Sequence, residues 1–136
     1  MRTLETLQKL AQRRLDEVTL EVASATARIA EAREEMEELR RRERAEIAAA
    51  MSHPEFYGSL PAFRGRVAEK SRALQTRIDE IEASLQLVRA RQADAYREKS
   101  KFEQLIETRA IRAAEEEAAR DQARLDEAAI SRANRT

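Results

Sequence analysis

The 136-residue chain balances 26 basic against 26 acidic side chains; 38 % of its residues are charged, 4 % are aromatic, and there are two glycines, two prolines and no cysteine. A neutral total argues against affinity driven by phosphate neutralisation or by an anionic membrane surface, and the absence of cysteine excludes disulfides and thiolate metal sites. The Ala-, Glu-, Arg- and Leu-rich composition is that of long helices, whose burial is linear and one seam wide.

The start, Met1-Arg2-Thr3-Leu4-Glu5, meets charge at once and contains no apolar run of signal-peptide length. No stretch approaches the ~20 apolar residues that span a bilayer. Both features predict a cytoplasmic protein with no membrane insertion. Residues 2–51 contain neither Gly nor Pro and read as one helix. At ~1.5 Å per residue it would be roughly 75 Å long. Its apolar stripe runs Leu4, Ala11, Leu15, Val18, Val22, Ala25, Ile29, Ala32, Met36, Leu39. Steps of three and four give the 3.5-residue period that keeps one seam against a partner helix. On the outer face, Glu37 with Arg41 and Glu38 with Arg42 are spaced for i,i+4 pairs. The run Arg40-Arg41-Arg42 is interleaved with acids and reads as a solvated face rather than a nucleic-acid site.

The turn is predicted over 52–59. The residue before Pro54 is pushed out of the α region, which stops the first helix. Ser59 is the expected N-cap of the second, with Pro61 tolerated in its first turn. Phe56, Tyr57, Leu60 and Phe63 cluster here and leave two readings, a cap on the end of the hairpin or an exposed contact patch. His53, the lone histidine, has Glu55 beside it. That is a thin signal for metal or acid–base chemistry, and the pattern reads as an exposed turn residue.

The second helix is predicted from 60 to about 130. Its stripe runs Val67, Leu74, Ile78, Ile81, Leu85, Val88, Ala95, Phe102, Ile106. The two stripes predict an all-α protein, two long helices in a single antiparallel coiled-coil hairpin. The proposed register pairs Leu39 with Ile78, Met36 with Ile81, Ala32 with Leu85, Ile29 with Val88 and Ala11 with Ile106. Large residues then face small ones at several layers. Gln92 and Lys99 are polar intruders in the seam, which either fix register or mark a loosened segment. Beyond about residue 113 no mate remains, because Arg109, Glu116 and Arg120 occupy stripe positions. An isolated helix of that length is marginal in water, so the tail is expected to fray or to be held by a partner.

No Gly-rich phosphate loop is present, and no nucleophile–base–acid set can be assembled around one histidine. Carboxylates on solvated faces keep ordinary acidity, so no catalytic residue, metal or cofactor is expected. Oligomeric state is open between a monomer and a weak oligomer.

Lys101-Phe-Glu-Gln-Leu-Ile-Glu107, followed by a charged, Ala-rich run ending in Leu125-Asp126-Glu127, resembles the FliJ family of flagellar type III export components. The resemblance implies a two-helix coiled coil similar to the rotor stalk of rotary ATPases. It implies association with the hexameric export ATPase, the cytoplasmic domain of the export gate and export chaperones. It also implies a position at the cytoplasmic face of the inner-membrane export apparatus. Lys101, Glu103, Leu105, Leu125, Asp126 and Glu127 match the family pattern. The last three fall where the register leaves no internal mate and are the expected partner-binding residues. Two alternatives stand beside this reading: the equivalent stalk of a virulence secretion system, and a generic coiled-coil chaperone or scaffold.

Overall fold

The computed structural model describes residues 2–135. Helix α1 runs Arg2–Ser52, a 3₁₀ helix follows at Pro54–Ser59, and α2 runs Leu60–Arg135. Among the described residues there is no strand. The contacts divide into two compact units, one of residues 16–93 and one that joins the segment ending at Leu15 to the segment beginning at Asp94. Each unit is an antiparallel helix pair.

The break between α1 and the 3₁₀ helix is a single residue. His53 is extended, at φ −131° and ψ 90°, as the residue before a proline must be. Its N–H still donates to the Ala49 carbonyl at 3.0 Å, and its carbonyl accepts from the Phe56 N–H at 3.0 Å. Ser59 does not cap α2. Its hydroxyl donates backward to the Phe56 carbonyl at 3.0 Å. The reason is continuity: Leu60 is already helical, at φ −62° and ψ −45°, and its N–H is taken by the Tyr57 carbonyl. A helix that grows out of a 3₁₀ turn inherits acceptors for its first donors and needs no cap there. Gly58 has no positive φ, so the reversal makes no demand for glycine.

In the unit of residues 16–93 the core is the expected seam. Ala25, Ile29, Ala32 and Met36 of α1 are buried with Ile78, Ile81 and Leu85 of α2, and Val22 and Leu74 pack against them. Ala32 is 1 % exposed and Ile78 3 %, so small residues bring the backbones close while large ones fill the gaps. Ala50 and Val67 extend the burial toward the turn. Arg33 bonds Glu82 across the helices at 2.9 Å, and Arg91 pairs with Glu21. Gln92 is half-buried and donates to the Thr19 hydroxyl at 3.3 Å. A polar seam residue is thereby satisfied by a polar mate, as register-fixing positions require.

In the other unit Ala11 and Ala95 are buried, and Arg14 reaches Glu98 at 3.3 Å. Lys99 is half-buried and pairs with Glu103, 3.5 Å away on its own helix. Arg109 pairs with Glu5 and is the last half-buried residue of α2. Every residue from Ala110 to Arg135 is exposed, so the unpaired tail begins a turn earlier than the heptads predict.

Helix α2 continues through that tail to Arg135. Its support there is local. Alanines are the best helix formers, Arg120 bonds Glu117 at 3.0 Å, Arg124 bonds Asp121 at 3.3 Å, and Gln122 bonds Asp126 at 3.0 Å. Arg132 and Arg135 in the last turn complement the helix dipole.

Candidate partner-binding surfaces

Beside the exposed Leu20, Leu87 and Tyr96, two regions present side chains that the helix pairs leave uncovered. The first is the tail. Leu125 is 65 % exposed, with Ile111 and Ile130 also open to solvent. Asp126 accepts from Gln122 within the helix, and Glu127 is exposed. Leu125, Asp126 and Glu127 therefore fall on the uncovered tail, on successive sides of the helix. Ile111 and Ile130 escaped the sequence reading, although their exposure follows from the seam ending at Arg109.

The second region is the turn. The 3₁₀ helix buries none of its residues. Phe56 and Tyr57 are about half exposed, and the neighbouring Met51, missed from the sequence, is 72 % exposed. The His53 ring meets Phe56 edge-on, with centroids 5.8 Å apart and planes at 69°. His53 Nδ1 lies 3.5 Å from a Glu55 carboxylate oxygen. Leu60 and Phe63 are half-buried. The cluster thus grades from Leu60 and Phe63, which are half-buried, to Phe56 and Tyr57, which are about half exposed.

The motif residues near 101–105 are dispersed around α2. Lys101 is exposed with its Nζ 5.9 Å from the Phe102 ring centroid, Glu103 holds Lys99, and Leu105 is 43 % exposed. Leu7 and Leu10 of α1 are similarly open. One heptad from the bonded pair Arg14 and Glu98 brings α1 to Leu7 and α2 to Leu105, so these two leucines share an edge of the helix pair.

On the charged outer face of α1 the expected i,i+4 pair of Glu38 with Arg42 forms, while Glu37 turns to an i,i+3 partner. Glu37 bonds Arg40 at 3.1 Å, and Glu38 bonds Arg41 at 2.8 Å and Arg42 at 3.5 Å. Arg41 is taken by Glu38, so the expected Glu37–Arg41 pair does not form. The Arg41 hydrogen bond and charge hold the Glu38 carboxyl below the ordinary carboxylate value. An open groove runs beside it, lined by Glu31, Glu34, Glu35, Lys70 and Arg77 over Leu39 and Leu74. In the other unit Glu5 is also held below its ordinary value, by a hydrogen bond from its own backbone N–H and by Arg109. Among the described residues no group of three or more His, Asp or Glu side chains is placed to hold a metal ion, and no helix is long and apolar enough to cross a membrane.

Uncovered helix surface and an exposed aromatic turn define the class: a helical-hairpin protein with side chains open to partners. The family model described as flagellar FliJ protein matches residues 1–136. The chain belongs to the FliJ family and is a component of flagellar protein export. Comparison with curated proteins and with solved structures gives no match.

Proposed function

We propose that the protein is a non-enzymatic stalk of the flagellar type III export apparatus. It binds the export ATPase ring, the export gate and export chaperones at the cytoplasmic face of the inner membrane. The observation that carries this reading is the tail: a helix exposed at every position from Ala110 to Arg135, in a chain of an export family. A segment of that length lacks tertiary support in the free chain and gains it by docking. Leu125, Asp126 and Glu127 supply one apolar and two acidic contacts to the partner. Phe56 and Tyr57 offer a second contact at the turn, where aromatic side chains contribute most per residue. Catalysis belongs to the ATPase, and the stalk transmits the state of one ring subunit to another.

The test is titration into the cognate export ATPase hexamer, with turnover and co-sedimentation followed together. The chain is expected to change the rate and to co-sediment, and the triple variant Leu125→Ala, Asp126→Ala, Glu127→Ala to lose both while keeping its helicity. An unchanged rate with no co-sedimentation of the unmodified chain refutes the proposal.

A further inference from the structure

The tail carries a repeat different from that of the seams. Ile111, Ala114, Ala118, Gln122, Leu125 and Ala129 follow one another at steps of three, four, four, three and four. An apolar strip of period 11/3 lies on one side of a straight helix, whereas a heptad strip drifts around it. This strip is exposed throughout. Its neighbouring edge, at the same spacings, is Glu117, Asp121, Arg124, Ala128, Arg132 and Arg135, acidic at the start and basic at the end.

An edge with opposite charges at its two ends is complementary to itself when reversed. We infer that the tails of two copies of this chain pair antiparallel about a two-fold axis at Leu125. In that register Leu125 meets Leu125, Gln122 faces Ala129, and Glu117 lies opposite Arg132 and Arg135 of the second copy. The two-fold repeats every contact, so both ends of the interface are neutralised. The charge pattern of the edge supports the Leu125-centred alignment by bringing Glu117 to Arg132 and Arg135 at both ends. The buried strip is mostly alanine, which permits close approach but removes little apolar area, so the association is weak and reversible. Pairing of this kind covers Leu125 while a copy is free, and a partner that takes the tail competes with it. The inference does not depend on the stalk reading, and its test contains no other protein.

The experiment is sedimentation of the full chain across the micromolar to millimolar range, with two charge variants. Wild type is expected to rise reversibly from the mass of one chain toward two. Glu117→Arg alone places like charges at both ends of the interface, as does Arg132→Glu with Arg135→Glu. Each is expected to weaken association about tenfold, from the loss and reversal of two exposed pairs. An equimolar mixture of the two variants restores it, because a mixed pair matches charge at both ends. All these positions are exposed, and unchanged helicity by circular dichroism verifies that each variant is folded. In the cysteine-free background, Leu125→Cys is expected to cross-link to itself under mild oxidation. Ile111→Cys, on the same strip but outside the overlap, is not. A single mass throughout overturns the inference, as does a mixture no tighter than either variant alone, or equal cross-linking at both cysteines.

Discussion

Replacing Ile81 by alanine tests whether the seam holds the unit of residues 16–93 together. Ile81 is 7 % exposed and belongs to the cluster of Ile29, Ala32, Met36, Ile78 and Leu85. Its full burial is worth roughly 1.5–3 kcal/mol in apolar transfer alone. A cavity in a compact core raises the cost of Ile→Ala toward about 5 kcal/mol. A two-helix seam has solvent on both flanks, so water or a neighbouring side chain reaches the vacated volume and the cavity term shrinks. The expected loss is therefore about 2 kcal/mol, near the low end of the measured range for such truncations. With a urea m-value of about 2 kcal/mol/M, the midpoint falls by about 1 M. Leu87→Ala is the control. Leu87 has the same elementary composition as isoleucine but is 72 % exposed, and its removal should stay within about 0.5 kcal/mol. The assay is urea unfolding followed by far-UV circular dichroism, at one protein concentration. Equal midpoints for Ile81→Ala and Leu87→Ala would refute the seam as drawn.

Spin labels at Ile29 and Val88, both within the same unit, should lie about 10 Å apart by the spacing of packed helices, and a separation of several nanometres would contradict the antiparallel pairing. Gly65→Ala should stabilise by about 1 kcal/mol and raise the melting temperature a few degrees, because Gly65 lies inside α2 and a Cβ built there meets nothing within 4 Å; a lower melting temperature would show an unseen contact. Glu5 has a folded-state pKa below the ordinary 4.5, so its contribution is present above that value and is lost as pH falls through the depressed one. Glu5→Gln should therefore flatten the acid limb of stability against pH, and an unchanged limb would remove Glu5 as its source. Phe56→Ser with Tyr57→Ser should leave urea stability within about 0.5 kcal/mol, since both rings are half exposed, while weakening capture of the export partners in a pull-down.

What the sequence made legible follows from what its residues must bury. The seam residues Ala25, Ile29, Ala32, Met36, Ile78, Ile81 and Leu85 were readable because a wrong one would cost burial, and the fold buries each of them. The stop at Pro54 was readable for an equally local reason, a steric clash. Ser59 was misread because a cap signal assumes a helix that starts from nothing, and α2 starts from a 3₁₀ turn whose carbonyls serve its first donors. Glu37 was assigned the wrong arginine because i,i+3 and i,i+4 partners differ by tenths of a kcal/mol, and the choice depends on which neighbour Glu38 takes first. The seam ends a turn earlier than expected, at Arg109, which is half-buried and pairs with Glu5.

The uncovered surfaces are a different matter. Phe56 is half exposed with its ring against His53, and Tyr57 and Leu125 are more than half open to solvent, so burial inside the chain accounts for only part of the aromatic pair and little of the leucine. The same holds for the change of period at Ile111, since a tail that only needed to remain helical would require no strip at all. Where the internal seam stops, the residue pattern continues under a new spacing, and a periodic strip without an internal mate has its physical meaning in an external one.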